Sequence, residues 1–531
     1  MESPVLTSAQ MRSAEKAAFA RGVEVEALMD QAGAGIARAV TKFFPNPGTC
    51  IVFVGKGHNA GDALVAAQCL RSGGWRIEIR LAFKEDDCGE LMRKKLESLR
   101  RRPTEILGAP PSRDGGTDLD ITLVELWAET ADQLSDAQNA IAAEAYLGSA
   151  SPIILLDGLL GVGAKPPLRE PVRAACRQIN QLRRKRSAYV FAVDLPTGLD
   201  SDSGKTDRDC VIADFTVTVG FAKSGLVADG ALDFVGRLEV VPLPDLTAED
   251  QSKELIAGPY SLAPLLPRRR FNAYKNQFGR IGVVAGSKGF IGAALMTTEG
   301  ALRAGAGLVE VFVPEEIYEI VAATAPMEAM VKPLESYRDL LKEKIDVWAL
   351  GPGLGKSRAT EILEVIEKTK QPMVVDADGL NILADKISTL KRCKHKRLLT
   401  PHPGEMNRLF SNKKESRVKT ATKFCNRFPV TLLLKGSRTI VGERNRALSY
   451  NTTGNPGMAS GGMGDVLTGV CAGLAGHGLS FYDAARLGAW VCGRAAEIAI
   501  FRHGASEESL LARDVLDHLG EAFNDLRSSA A

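Results

Sequence analysis

Apolar and polar positions along the chain fall into two successive runs of alternating strand and helix signals. Between residues 8 and 40, Met11, Ala14 and Ala18, then Leu28, Met29, Ala32, Ile36 and Val40, recur at the spacing of one helix face and predict one or two helices. The pattern then becomes a short unbroken apolar strand at 50–54, a glycine-bearing turn at 55–61, a helix from about Asp62 to Gly73-Gly74, and a second strand at 75–83. After the charged stretch 84–150, strand signals return in SPIILLDGLLGVGAKPP and again in AYVFAVDLPTGLD. Past residue 260 the same alternation restarts. A strand runs into a glycine turn in FGRIGVVAGSKGF, a helix of small residues follows, and strands are predicted at 308–313, 346–351, 372–377, 396–401 and 430–436 with helices between them. This alternation predicts two layered α/β domains, each on a mostly parallel sheet. Residues 1–245 form the first and 261–531 the second, joined by a polar, proline-flanked linker at 246–260.

Composition changes this picture little. At 531 residues, with 45% hydrophobic and 25% charged residues, the chain is long enough for more than one core and has no need of disorder. A net charge of +3 gives no reason to expect nucleic acid. The basic runs RRKR (183–186), RRR (268–270) and KRCKHKR (391–397) lack interleaved aromatics and read as solvated edges. Nine scattered cysteines, with no CxxC and no Cys/His cluster at metal spacing, read as reduced, mostly buried thiols. A charged N-terminus and the lack of a long apolar stretch point to a cytoplasmic protein without a membrane partner.

The chemistry gathers at strand ends. Asn59 and Asp62 follow the first strand, and Asp157 closes another before the loop 161–163. Asp194 closes a third before Thr197-Gly198. Ligands of open α/β sheets bind beyond the carboxyl ends of the strands, so these residues are expected at one edge. Asn59 and Asp62 read equally as cation or ribose ligands and as turn and cap residues. In the second half, 351–355 is a glycine turn, and Asp376 and Asp378 follow a strand. His402 and Glu405 lie in a proline-fixed loop, and 435–439 offers a lysine, a glycine N–H and hydroxyls. Asp378 reads as a helix cap or as a metal or water contact, and His402 as a ligand contact. The stretch NTTGNPGMASGGMGDVLTG (451–469) organises the rest. Its glycines at 454, 457, 461, 462, 464 and 469 permit close backbone approach, and N–H groups at a helix N-terminus suit phosphate. Asp465, at that helix start, would repel phosphate unless it takes a proton from a reacting hydroxyl.

Two resemblances follow from these segments. GKGHNAGDA, DGLLGVGAKPP and AVDLPTGLD resemble the motifs of the NAD(P)H-hydrate epimerase domain, with His58, Ala60 and Ala63 where that family carries Asn, Gly and Gly. AGSKGFIGAALMTTEGALRAGAGLV, GPGLG, VVDADGLN, TPHPGE, LLKGSRT and GNPGMASGGMGDVLTG resemble, in order, the ADP- or ATP-dependent NAD(P)H-hydrate dehydratase, a ribokinase-like fold. The two together resemble the bifunctional NAD(P)H-hydrate repair family, with a Rossmann-like domain first.

The resemblance implies the following roles. Asn59, Asp157 and Thr197 would hold potassium. His58, Asn59, Ala60, Gly61 and Asp62, the loop Gly161, Val162, Gly163, Ala164, Lys165, Pro166 and Pro167, and Asp194 would meet the hydrated nicotinamide nucleotide, with Asp194 the acid/base. In the second domain Asp465 would be the base, and Ala293, Gly353 and His402 would position the hydrate. Lys435, Gly436, Ser437, Arg438 and Thr439, with Asn455, Gly461, Gly462, Met463 and Gly464, would bind ADP or ATP with magnesium. A homo-oligomer is expected by analogy. The competing reading is a small-molecule kinase of the same fold carrying a non-catalytic N-terminal binding module.

Overall fold

The computed structural model describes residues 3–101, 121–126, 151–186, 188–248, 252–411 and 415–529. Much of the stretch 84–150 lies outside these residues. The chain divides into two compact units, Pro4–Gln251, and Ser252–Ala531 together with Met1–Ser3.

In the first unit, β1 (Ser3–Leu6) leads to helices Ser8–Ala20 and Val25–Phe43. Thr7 caps the first of these by accepting from Gln10 N while the Gln10 side chain returns to the Thr7 N–H. The strands are β2 (Thr49–Val54), β3 (Arg76–Leu81), β4 (Thr122–Glu125), β5 (Ile153–Gly158), β6 (Tyr189–Val193), β7 (Phe215–Val219), β8 (Ala222–Lys223) and β9 (Arg237–Val241). Seven of them form a sheet in the order β4-β3-β2-β5-β6-β7-β9. Every pairing in it is parallel, which is why β2, β5 and β6 are buried on both faces and read as continuous apolar runs. The strand order reverses between β2 and β5, opening a crevice at their carboxyl ends. β1 pairs in parallel with β8.

The second unit holds β10 (Glu254–Ala257), β11 (Arg280–Val284), β12 (Leu308–Pro314), β13 (Ala329–Leu334), β14 (Val347–Leu350), β15 (Met373–Val375), β16 (Arg397–Leu399), β17 (Val430–Leu434), β18 (Ile440–Glu443) and β19 (Leu448–Asn451). They follow the order β13-β12-β11-β14-β15-β16-β17-β18-β19-β10. The pairings are parallel except β17 with β18 and β18 with β19. Here the order reverses between β11 and β14, and the loops after these strands are tied together. Gly286 N donates to Pro352 O at 2.8 Å, and Ser287 Oγ to Gly353 O at 2.7 Å.

These are two layered α/β units, each on a parallel or mostly parallel sheet, as the alternation of elements predicts. Three expectations change. The helix expected from Asp62 begins at His58, because extended Gly57 serves as its N-cap and Gly61 is small enough to lie against Met29, whose sulfur would stand 2.4 Å from a Cβ there. Asn59 is thus a first-turn residue of this helix, and Asp62 follows in its second turn. β13, β18 and β19 carry Lys, Pro, Gly or a charged turn and escape the apolar pattern. Gly469 belongs not to a ligand loop but to the buried interior of helix Met463–Gly476, packed on helix Ile291–Arg303. A Cβ on it would lie 2.0 Å from Thr297 O.

The nine cysteines are unpaired and only Cys69 is exposed. Among the described residues no helix is long and apolar enough to cross a membrane.

Backbone-to-backbone packing of these two helices makes a direct prediction. Gly469→Ala should destabilise the second unit by about 1–3 kcal/mol, lowering its melting transition by about 2–10 °C in calorimetry. An unchanged transition would refute the close-packing argument.

Candidate active sites

In the second unit several of the candidate site residues converge on the start of helix Met463–Gly476. Its N-cap, Gly462, has φ 87, and a Cβ there would meet Met296 Sδ at 2.4 Å, so the turn that swings the chain into the helix requires glycine. Asp465 follows in the first turn. Burial, reinforced by the charge of nearby Asp376 and opposed by Lys435, pushes its carboxyl up to about 7. A carboxylate poised there can take a proton near neutrality.

Beneath it lies Asp376, 1% exposed at the end of β15. It accepts from Lys435 Nζ at 2.8 Å through one oxygen and from Thr468 Oγ1 at 2.9 Å through the other. Lys435 also lies 3.9 Å from Glu405. Burial works against its charge, but the two carboxylates hold its pKa above the ordinary lysine value. The backbone of Gly464 passes over this pair, since a Cβ there would stand 3.1 Å from Lys435 Nζ and 3.3 Å from Asp376 Oδ2. Lys435 is therefore fixed under the loop rather than free at the surface.

The remaining expected residues divide between surface and support. Gly436 and Ser437 are exposed, whereas Arg438 is 1% exposed and Thr439 turns back to Gly436 O at 3.0 Å. Asn455 caps the turn Pro456–Met458 by accepting from Gly457 N at 3.0 Å. Gly461 is exposed, with no atom within 4 Å of where its Cβ would be. Gly457 instead lies against the Glu507 carbonyl. Gly353 (φ 65) touches Ala293 at the switch between β11 and β14, as a Cβ there would come within 3.0 Å of the Ala293 Cβ. His402 is the exposed N-cap of helix Pro403–Leu409, its Nδ1 accepting from Gly404 N at 3.0 Å while Glu405 accepts from His402 N at 2.8 Å. Asp378 braces the 351–355 turn by accepting from Gly355 N at 2.9 Å.

In the first unit the crevice between β2 and β5 gathers Asn59, Asp157 and Thr197. Thr197 donates to both Asp157 oxygens, through Oγ1 at 2.7 Å and N at 2.8 Å. Leu160 N donates to Thr197 Oγ1 at 3.2 Å, and Asn59 Nδ2 to Leu160 O at 3.0 Å. Asp157 is fully buried, which pushes its carboxyl up to about 6. Gly161 lies against Asn59, and Gly163, Lys165 and Pro167 are exposed in the loop that follows. His58 is exposed beside buried Asn59, Ala60 and Gly61.

Asp194 takes φ 67, a conformation unusual for a non-glycine residue and often retained at reactive positions. Its carboxylate accepts from Val219 N at 3.1 Å, from Thr218 Oγ1 at 3.2 Å and from Lys223 Nζ. Lys223 is 1% exposed. Burial, and then the Asp194 charge, hold Asp62 well above the usual carboxylate range; burial also raises Glu15, against the pull of Lys223.

Lys223 and Glu15 were not foreseen. The signal for Lys223 was one cation inside the apolar run FTVTVGFAKSGLV. Glu497 was missed as well. It is 1% exposed on helix Phe481–Phe501 and accepts from Gly454 N at 2.8 Å, pinning the glycine loop from behind. Its signal was a lone carboxylate in AAEIAIF.

Comparison with known proteins gives the same division of the chain. A family model described as NAD(P)H-hydrate dehydratase matches residues 281–519, and one described as YjeF-related protein N-terminus matches 25–225. The chain is 33% identical over 524 residues to the bifunctional NAD(P)H-hydrate repair enzyme Nnr of Moorella thermoacetica, covering 94% of this chain and 92% of that one. It is likewise 33% identical over 524 residues to the enzyme of the same name from Escherichia coli, covering 97% and 92%. A crystal structure of the ADP/ATP-dependent NAD(P)H-hydrate dehydratase of Bacillus subtilis, co-crystallised with ATP and Mg2+, is 26% identical and covers 51% of this chain and 98% of that one, with a TM-score of 0.45. With an epimerase-type unit before a dehydratase-type unit, and relatives aligned across nearly the whole length of both, the chain belongs to the family of bifunctional NAD(P)H-hydrate repair enzymes.

Proposed function

We propose that the chain restores hydrated nicotinamide cofactors, its first unit interconverting the R and S hydrates and its second dehydrating the S form at the expense of ADP or ATP. The observation that carries this reading is Asp465, a carboxyl poised near neutrality at a glycine-rich helix N-terminus. Hydroxide is a poor leaving group and phosphate a good one. Asp465 takes the proton of the C6 hydroxyl while that oxygen forms a bond to the terminal phosphorus, and the phosphorus–oxygen bond to the departing nucleotide breaks. The phosphate then leaves with the C6–O electron pair, a ring proton is lost, and the double bond returns.

The N–H groups of Gly461, Gly462, Met463 and Gly464 at the helix start would face the charge that develops on the transferring phosphoryl group, while those of Gly457, Met458 and Ala459 close the turn before it. The open approach at Gly461 and the exposed Gly436-Ser437 fit a bound nucleotide. Magnesium bound with the nucleotide would screen the charge of its phosphates. Lys435 and Asp376 hold the floor of the site, Arg438 and Thr439 shape the 435–439 turn from within, and Ala293, Gly353 and His402 border the hydrate.

In the first unit, Asp194 is the acid/base at the epimerised carbon, with Lys223 setting its orientation. Asp62 and the 161–167 loop line the approach of the substrate. Asn59 Oδ1, Asp157 and Thr197 offer only oxygens around a buried carboxylate with no cationic side chain paired to it among the described residues. That donor set fits a hard monovalent cation such as potassium, which would neutralise Asp157 and hold the loops that carry it.

Recovery of absorbance at 340 nm from mixed R and S NADH hydrate tests the scheme. Asp465→Asn should lower kcat for S-hydrate about 10²–10⁴-fold, and Asp194→Ala should halt recovery near the S fraction while leaving S turnover intact. A stable phosphorylated product with no recovery would favour the small-molecule kinase.

Because Asp465 acts unprotonated, the chemical step should slow as pH falls through about 7. Removing the Asp376 charge in Asp376→Asn should move that midpoint down, and a pH profile flat between 5.5 and 8.5 would contradict the assignment. Potassium should raise the melting transition of the first unit relative to tetramethylammonium, and Asp157→Asn should abolish the rise. An equal rise in the variant would place any bound cation elsewhere.

A further inference from the structure

The basic tract 268–270, which the proposed chemistry leaves unused, lines a cavity of about 570 Å³ in the second unit. That volume falls in the range of about 300–1,000 Å³ typical of small-ligand sites. Five arginines, Arg268, Arg269, Arg270, Arg303 and Arg527, line it together with His477, and its lining contains no Asp or Glu.

One of these arginines is fixed in place. Arg269 Nη2 donates to Gly305 O at 2.7 Å, and its guanidinium lies 3.8 Å over the Phe278 ring. His477 Nε2 reaches the same carbonyl at 2.8 Å, with its ring edge-on to Phe278. Gly305 takes φ 90, and a Cβ there would stand 2.5 Å from Arg269 Nη2, so the contact requires glycine at 305. Around this anchor, Arg268, Arg270 and Arg527 have no ion-pair partner among the described residues, and Arg303 has only Glu299, at 3.4 Å. Arg303 and Arg527 stand in the last turns of their helices, where a cation complements the helix dipole. Arg268–Arg270 belong to no helix, and that explanation does not reach them.

The cavity is separate from the dehydration site. His477 caps the C-terminal end of the same 14-residue helix whose first turn carries Asp465. At about 1.5 Å per residue, the two ends are about 20 Å apart.

We propose that this cavity binds an oligophosphate, either free or as the phosphate chain of a nucleotide. Planar guanidiniums, one already fixed, suit several phosphate oxygens at once, and the anion relieves the crowding of like charge.

Calorimetric titration with tripolyphosphate tests the site on the full-length protein. The exposed triple variant Arg268→Gln, Arg270→Gln, Arg527→Gln should weaken this binding at least tenfold while leaving the dehydratase KM for ATP unchanged. Superimposable isotherms for the two proteins, or no heat of binding in either at millimolar tripolyphosphate, would overturn the proposal. In the wild type, competition by ATP would identify a nucleotide's phosphate chain as the ligand, and tripolyphosphate binding that ATP does not displace would identify a free oligophosphate.

Discussion

The second unit depends on a buried ion pair. Asp376 has lost almost all contact with solvent, and Lys435 Nζ neutralises one of its oxygens at 2.8 Å while Thr468 satisfies the other. Removing either charge from such a pair leaves the other buried and uncompensated, which costs about 3–5 kcal/mol. The arrangement joins three segments distant in sequence: the end of β15, the end of β17, and the helix that carries Asp465. It also sets the electrostatics around Asp465, the proposed base. Asp376 and burial raise Asp465 toward neutrality while Lys435 restrains the rise, and the glycine loop passes directly over the pair. The fold and the proposed acid–base chemistry therefore rest on the same contact.

The first unit solves an analogous problem without a cation from its own side chains at one carboxylate and with one at another. Among the described residues, Asp157 is buried among Thr197 and backbone donors alone, whereas Asp194 is held by Lys223. Both lie at the carboxyl ends of neighbouring strands, beside the point where the strand order reverses. In each unit, then, sheet topology places the reactive groups, and local pairing tunes them.

Much of this was legible in the chain. Apolar runs ending in Asp157, Asp194 and Asp376 marked buried parallel strands, because burial on both faces leaves no polar alternation to confuse the reading. The glycine-rich stretch before Asp465 marked its helix start. What escaped depends on tertiary context. The helix at His58 begins early because Gly61 fits against Met29, a contact with no local signature. Lys435 is a supporting cation rather than a surface one because β17 carries it beneath the loop. Gly469 looks like its neighbours in sequence, yet it serves helix packing and not the ligand. Lys223, Glu15 and Glu497 are single charges whose partners lie far along the chain, and only the fold brings them together.

On the proposed mechanism, the second unit removes the hydroxyl as phosphate and not as hydroxide. This is tested most directly by preparing S-NADH hydrate with 18O in the C6 hydroxyl and analysing the phosphate released during dehydration by mass spectrometry. Departure as phosphate leaves one 18O atom in each released phosphate. Unlabelled phosphate, with the isotope recovered in water, would contradict it.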